Sequence, residues 1–417
     1  MMEKKQKVGI LSLGCPRNLV DSETILGRLN FKGYSVVDID KADVAIVNTC
    51  AFIEEAKSES IDAILGLVDL KRKGRIKKII VCGCLSQRYR DALIKELPEI
   101  DCLVGAMSLN HSQQRFPLVP RHYAYLKICE GCLNSCSYCA IPRIKGKFAS
   151  LDIDSALKKA ALFDKEKVSE LNIIGQDITG YGMDLYGRSS LAELLANIAK
   201  KAKNIGWIRL LYLYPNRLSD ELLGLIRDLP RVCKYIDLPV QHINNRILKL
   251  MNRGTSKEGI IRLIEKIRKT IPGVGLRTSL ITGFPSETDK EFRELLKFME
   301  EVKFDRLGAF IYSREEGTPA AGFKKQIPKK VKIERLNMIM SLQQDISREI
   351  NKEFLGKTID VLIDEEKDGG YLGRSQYDAP EVDGLVFVSA ERKLRPGDFV
   401  KVKITDTLEY DLSGKEV

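Results

Sequence analysis

The sequence predicts an α/β protein of three parts. These are an N-terminal doubly wound parallel-sheet domain over residues 1–118, a central complete or partial (β/α) barrel over 119–346, and a small antiparallel OB-like β-barrel over 347–417. Three observations predict this order. Apolar strand-like runs alternate with amphipathic helical segments through the first third of the chain, the pattern of a parallel sheet. The alternation resumes near residue 120 and continues for six further strand–helix units, enough for a barrel. Beyond Gly356 the pattern changes to short β-rich runs such as IDVLID, GLVFVS and DFVKVKI, separated by Gly and Pro turns.

In the first part VGILSL (Val8 to Leu13), VAIVN (Val44 to Asn48) and KIIVC (Lys78 to Cys82) read as buried strands, with helical patterns at Ser22 to Phe31 and Ile53 to Leu70. A cysteine follows each strand within a few residues: Cys15, Cys50 and Cys84. Strands of a parallel sheet end on the same side, and active residues of such sheets sit in loops at their carboxyl ends. Three sequence-distant thiols are therefore expected to converge on one edge as a shared metal site, against the reading of three unrelated core cysteines. Cys82, inside the third strand, and Cys102, after a short apolar stretch, read as packing.

In the second part the candidate strands are Ala124 to Ile128, Glu170 to Ile174, Ile208 to Leu213, Tyr235 to Leu238, Gly275 to Ile281 and Arg306 to Ile311. The helical segment Thr288 to Val302 opens with a Thr288/Glu291 capping box. Its residues Phe292, Leu295, Leu296 and Met299 form one apolar stripe, which reads as core. Gln326 to Leu355 is charged and helix-prone, and Gly356 can stop it. No internal repeat or low-complexity tract interrupts the pattern.

The segment ICEGCLNSCSYCAIPRIKGK follows the first strand of the expected barrel and contains Cys132-x3-Cys136-x2-Cys139. Iron–sulfur clusters are held by cysteine thiolates, typically four for a 4Fe–4S cluster, so three on one loop would leave one iron open to a reactant. Two other readings stand beside it. Cys129-x2-Cys132 and Cys136-x2-Cys139 form two CxxC pairs, as in a zinc site, but three residues separate them where zinc ribbons have about 15–20. A ferredoxin-like electron-transfer cluster would need a fourth ligand, for which Cys129 is a candidate. The place of the motif, at the head of a strand–helix series, favours the open cluster.

Composition bounds the function. Hydrophobic residues make up 44% and charged residues 30%, which fits a soluble globular protein with substantial cores. No apolar run approaches the ~20 residues that span a bilayer, and MMEKKQK followed by a short strand-like VGILSLG does not read as a secretory signal. A cytosolic location is expected, and there clustered thiols indicate metal or catalytic chemistry rather than disulfides. The net charge of +11 fits an anionic partner such as RNA or a ribosome, and also fits many ordinary cytosolic proteins. It is unevenly spread: residues 357–417 carry 9 Lys+Arg against 14 Asp+Glu, a net of −5.

With these residues in hand, the chain resembles the radical S-adenosylmethionine (SAM) methylthiotransferases over nearly its full length. The resemblance implies a methylthiotransferase N-terminal domain with an auxiliary cluster, a radical SAM barrel and a C-terminal TRAM domain. It implies two 4Fe–4S clusters, an auxiliary one on Cys15, Cys50 and Cys84 and a radical one on Cys132, Cys136 and Cys139, with SAM as cofactor. Four stretches resemble the branch that modifies an aspartate β-carbon of the ribosomal protein S-twelve: SLGCPRNLVDSE, LLYLYP, YIDLPVQHINN and RSQYDAPEVDG. The branch that modifies adenosine in tRNA typically has a different pair after the first cysteine and lacks HIN after PVQ. The acidic C-terminal barrel agrees, because a tRNA-binding barrel should be basic and an acidic one suits a basic ribosomal protein. The family usually has Ser at the position of Cys129, which here reads as a small buried residue rather than a competing ligand.

The implied mechanism removes hydrogen from the aspartate β-carbon with a deoxyadenosyl radical, delivers sulfur from the auxiliary cluster and takes the methyl group from a second SAM, so the two clusters must face each other. Candidate SAM contacts are Tyr138, beside the last radical-cluster cysteine, Gln176 and Asp177, at the end of the second barrel strand, and Arg277, as partner of the SAM carboxylate. Each reads equally as a structural polar residue. His242 is assigned no catalytic role, and Asp378 and Asp383 are expected to face the ribosomal protein. The implied partners are ribosomal protein S-twelve or the small ribosomal subunit and an electron donor of the flavodoxin or ferredoxin type. The sequence does not identify the sulfur donor, and no membrane partner is expected. The other readings are a tRNA adenosine methylthiotransferase with the same chemistry and a non-catalytic iron–sulfur or zinc RNA-binding module.

Overall fold

The structure is a computed structural model describing residues 5–109 and 111–417; residues 1–4, the head of the expected N-terminal domain, and Asn110 lie outside the described residues. The chain opens with β1 (Lys7–Ser12), α1 (Pro16–Phe31), β2 (Ser35–Val36), β3 (Val44–Thr49), α2 (Glu54–Arg72), β4 (Lys78–Gly83), α3 (Cys84–Arg88) and β5 (Cys102–Leu103). All strand pairs of this sheet are parallel, in the order β2-β1-β3-β4-β5. The order reverses between β1 and β3, which opens a crevice at their carboxyl ends. β3 is buried along its whole length, as a central strand covered on both faces must be. Pro16 starts α1 at the position where its missing N–H costs nothing.

The central part follows with β6 (Tyr123–Lys127), β7 (Cys129–Glu130), β8 (Ala149–Ser150), β9 (Glu170–Ile174), β10 (Trp207–Leu210), β11 (Tyr235–Asp237), β12 (Gly275–Thr282) and β13 (Arg306–Ile311). Two parallel three-stranded sheets, β10-β9-β6 and β11-β12-β13, form the wall of an open barrel. They are joined by the bonds from Ile208 N to Arg231 O at 2.7 Å and from Cys233 N to Ile208 O at 3.0 Å. The six strands expected from the alternation are all present; the third is four residues long where six were expected, because the chain after Leu210 leaves the ladder towards the left-handed Tyr212. The capping box forms: the Thr288 hydroxyl accepts from Glu291 N, and the Glu291 carboxylate accepts from Thr288 N. Phe292, Leu295 and Met299 enter the main core beneath it.

Helix Lys329–Lys352 packs along β12 and β13 and hands the chain to a closed five-stranded barrel. Its strands are β14 (Thr358–Lys367), β15 (Gly370–Ser375), β16 (Val386–Ser389), β17 (Phe399–Thr407) and β18 (Leu412–Glu416), ordered β14-β15-β16-β18-β17. The pairs are antiparallel except β16 with β18. The loop Gln376–Gly384 of this barrel closes the amino-terminal end of the central one. There Asp378 accepts from Arg306 at 2.6 and 2.9 Å, Asp383 accepts from Tyr235 Oη at 2.6 Å, and Arg209 donates to Gln376 O at 2.7 Å. The expectation that Asp378 and Asp383 face a partner is therefore corrected: both are buried against arginines of the central barrel. Cys102 is likewise corrected, since it lies exposed on the short edge strand β5 rather than in a core. Among the described residues no helix is long and apolar enough to cross a membrane.

Candidate active site

The loops after β1, β3 and β4 carry Cys15, Cys50 and Cys84, and one side chain ties all three together. Asn18, in the first turn of α1, donates to Leu13 O at 3.1 Å and Thr49 O at 2.9 Å, while its carbonyl oxygen faces the Cys84 thiol at 3.8 Å. Gly14 lies flat against Cys50: its φ is +85°, and a Cβ there would sit 2.6 Å from Cys50 Cβ and 2.8 Å from its sulfur. Burial alone would raise the Cys15 thiol, but the Arg17 guanidinium, with its hydrogen bond to the sulfur at 3.4 Å, holds it below its ordinary value. Burial pushes the Cys84 thiol up to about 12. Cys82 sits in the core on the other side of β4, as expected of a packing residue.

The second thiol set lies on the loop after β7. Gly131, with φ +77°, turns the chain into it, and Cys139 N closes on Cys136 O at 3.1 Å. Two of its sulfurs receive donors: Cys132 from Asn134 N and Nδ2 at 3.4 and 3.3 Å, and Cys136 from Arg253 Nη1 at 3.6 Å. Ser137 anchors the loop from below, donating from its hydroxyl to Leu250 O at 2.7 Å. Cys129 is fully buried in the main core, packed so closely on Gly175 that a Cβ there would collide with its sulfur. This is the small buried residue expected of it.

The two sets adjoin. The helix Ile141–Lys145, directly after Cys139, packs on α3, which begins at Cys84; Ala140 and Ile144 share one core with Cys84 and Leu85. Beside this contact a buried quartet joins the two parts: Lys127 bonds Asp21 and, at 2.6 Å, Glu130, while Lys145 lies 3.5 Å from Asp21 and 3.4 Å from Glu130. Burial would strip protons from both lysines, but the two carboxylates hold them above their ordinary range. A second clasp joins Arg88 to Glu315 at 2.8 Å and Lys57 to Glu315 at 3.3 Å. Arg17 bridges the crevice, donating from Nη1 to Gly175 O at 2.9 Å and stacking 4.4 Å from the centre of the Tyr212 ring.

Around the second loop the structure gathers Tyr138, Gln176 and Asp177. Asp177 accepts from Asn134 Nδ2 at 2.8 Å and Arg217 Nη2 at 2.5 Å, and its other oxygen caps the turn at Thr179. Gln176 donates to Glu130 at 2.5 Å and leaves its own carbonyl oxygen buried without a partner. The Tyr138 hydroxyl lies 3.4 Å from Arg253 Nη1. Arg277 is not brought to this loop. It lies near the start of β12, with Asp237 at 3.2 Å and Asp383 at 3.2 Å, so a SAM carboxylate would compete with two carboxylates already in place. Arg217 and Arg253 occupy the loop instead; an arginine in this chain's sequence carries no local mark of which loop it will reach. Asn18 and Asn134 lie within the cysteine motifs, but their contacts with Thr49 and Asp177 join loops far apart in sequence.

Among the described residues no three His, Cys, Asp or Glu side chains converge tightly enough for a single metal ion. A single zinc would need its ligands on one tetrahedron about 2.3 Å from the metal, whereas a cluster takes each thiolate on a different iron. The donor set fits clusters: three thiols per loop set, backed by N–H donors to the sulfurs that tune such centres.

Comparison with known proteins agrees part by part. Family models match at residues 7–105 (Uncharacterized protein family UPF0004), 126–299 (Radical SAM superfamily) and 355–417 (TRAM domain). Curated proteins named "Ribosomal protein uS12 methylthiotransferase RimO" are similar along almost their whole length. That of Clostridioides difficile is 46% identical over 98% of this chain and 98% of its own, and that of Geotalea uraniireducens 47% identical over 99% of each. Among solved structures the fold resembles the radical S-adenosylmethionine methyltransferase TsrM from Kitasatospora setae, with a TM-score of 0.57 at 12% identity over 88% of this chain and 79% of that one. It also resembles the cobalamin-dependent S-adenosylmethionine radical enzyme OxsB, with a TM-score of 0.53 at 13% identity over 82% of this chain and 56% of that one.

Proposed function

This chain belongs to the ribosomal protein uS12 methylthiotransferase family, and from that membership we propose that it replaces a hydrogen on the β-carbon of an aspartate of uS12 with a methylthio group. It is a radical SAM enzyme with two 4Fe–4S clusters and SAM as cofactors. The observation that carries the reading is the juxtaposition of two three-thiol sets, one on three loops of the N-terminal sheet and one on a single loop of the central barrel, locked together through α3, the helix Ile141–Lys145 and the Lys127/Lys145 quartet. Cys15, Cys50 and Cys84 would hold the auxiliary cluster, and Cys132, Cys136 and Cys139 the radical one. When bound, these groups supply a SAM-derived hydrogen-abstracting radical and the sulfur to be transferred.

The protein's part is positioning and exclusion. Asn18 holds the three auxiliary loops at fixed separation. Asn134 and Arg253 donate to the radical-loop sulfurs, and Asp177, fixed by Arg217, holds Asn134 in turn. Tyr138, Gln176 and Asp177 surround the place where SAM would lie; the orphaned Gln176 oxygen is an acceptor suited to its amino group. Arg277 acts from below by fixing Asp237. The working units are residues 1–118, 119–346 and 347–417. A flavodoxin- or ferredoxin-type protein would supply electrons, and the cytoplasm, where uS12 is made, is the place of action.

The test is anaerobic reconstitution with SAM, reductant and sulfide, offering purified uS12 and bulk tRNA in parallel and measuring the masses of protein and nucleosides. A methylthio gain on an aspartate peptide supports the reading. The same gain on adenosine, with uS12 unchanged, overturns it.

A further inference from the structure

Most arginines that reach the interior of this molecule are matched to a carboxylate. Arg209 meets Glu170, Arg374 meets Glu170 and Asp364, Arg306 meets Asp378, Arg277 meets Asp237 and Asp383, Arg335 meets Glu287, and Arg217 meets Asp177. Arg17 is different. Among the described residues it pairs with no carboxylate: Nε goes to the Cys15 sulfur at 3.4 Å, Nη1 to Gly175 O at 2.9 Å, and its face to the Tyr212 ring at 4.4 Å. No protein atom among the described residues accepts from its Nη2. Arg253 also lacks a carboxylate, but both its terminal nitrogens are used, on Cys136 Sγ, Tyr138 Oη and Pro239 O.

The position of Arg17 matters as much as its spare donor. It stands where the loop of Cys15 meets the carboxyl ends of β9 and β10, at the seam of the two thiol sets. Its platform is held with effort: Tyr212 has a φ of +66°, rare for a residue with a side chain, and Asp237 pins it by accepting its N–H at 2.9 Å. A guanidinium fixed on three sides with one donor open is a preorganised receptor for a carboxylate. An aspartate's carboxylate carbon is bonded directly to its β-carbon, so holding that carboxylate at Arg17 sets the β-carbon beside the Cys15 loop.

Resting on the function proposed above, we propose that Arg17 binds the side-chain carboxylate of the substrate aspartate through its open Nη2, selecting aspartate over asparagine and positioning the β-carbon at the auxiliary site. The competing role is confined to Cys15, with the guanidinium balancing thiolate charge there and touching no substrate.

The experiment uses the full chain with both clusters reconstituted, and two forms of uS12: the native one and one with the target aspartate changed to asparagine. Binding is measured by fluorescence anisotropy, and the cluster signals by electron paramagnetic resonance. Wild type should bind the native form more tightly by on the order of 10- to 100-fold, the scale of a hydrogen bond to a charged group. Arg17→Gln should lose that preference by weakening the aspartate form alone, and Arg17→Lys should keep part of it. An unchanged ratio in Arg17→Gln, even with both affinities lowered, overturns the proposal, as does a wild type without preference. Should Arg17→Gln fail to load iron, Arg17→Lys decides: a reduced ratio with normal cluster signals supports the proposal, and an unchanged ratio overturns it. A wild type that modifies no uS12 would instead defeat the function on which the inference rests.

Discussion

His242 is a neutral base sealed inside the protein. Its Nδ1 accepts from Asn244 N at 3.0 Å, its Nε2 has no partner among the described residues, and no part of the residue is exposed. The ring thus orders the loop ahead of helix Asn245–Leu250. Burial pushes its pKa down to about 4; Glu291 and Glu294 pull it up, while Arg335 and Arg246 push it further down. The unfolded chain protonates this histidine near 6.5, so between about 6.5 and about 4 the unfolded state binds more protons than the folded one. Stability is therefore complete above that window and is lost as pH falls through it, by about 3 kcal/mol in all. Urea unfolding of wild type and His242→Gln at pH 7 and pH 4.5 checks this. The variant should lose less stability between the two, and equal losses would show that His242 contributes no proton linkage.

Among the elements, the turn from β1 into α1 does the most with the fewest residues. Gly14 brings the backbone against Cys50, Cys15 ends the turn, Pro16 starts the helix, and Asn18 reaches across to the loops after β3 and β4. Gly14→Ala would demand both a left-handed backbone and space already filled by Cys50, at a cost of about 1–3 kcal/mol. The expected result is selective: the auxiliary site loses iron, while the Cys132/Cys136/Cys139 loop, built on another sheet, still loads. Iron per chain should fall by roughly half. A variant with the full iron content of wild type would show that the turn has room to adjust.

Over the whole molecule, the C-terminal barrel acts as the floor of the central one. Asp378 accepts two bonds from Arg306 and one from the Ser375 hydroxyl at 2.5 Å, with Arg306 and Asp378 both buried. Asp378→Asn would leave the Arg306 charge uncompensated, and losing one partner of a buried pair costs about 3–5 kcal/mol. A lowered unfolding midpoint, with faster hydrogen exchange in β13 and β15, is expected; unchanged exchange there would mean that the apolar contacts alone hold the floor. The same arrangement revises the argument from charge. Of the acidic excess in residues 357–417, Asp378 and Asp383 point inward to Arg306 and Arg277 of the central barrel, so the outer face is closer to neutral than the net of −5 suggests.

Much of this protein is legible in its sequence. Strand positions followed from apolar runs of the right period, since a buried parallel strand must be apolar on both faces. That the loops of Cys15, Cys50 and Cys84 share one edge of the sheet followed from topology alone, because parallel strands end on one side. The Cys132/Cys136/Cys139 motif was local, with three cysteines within eight residues. Only the folded chain could show which charges meet. Arg277, Asp378 and Asp383 looked outward-facing or ligand-binding in the sequence, and the fold turned Arg277 and Asp383 on each other and Asp378 on Arg306. Arg217 and Arg253 were silent in the sequence, and Arg17, though beside Cys15 in a marked stretch, showed no partner there; the fold brought all three to their contacts. Periodicity reports how each residue faces its own element, a short-range property. The partner of a long charged side chain depends on how separate elements dock, which only the packed chain decides.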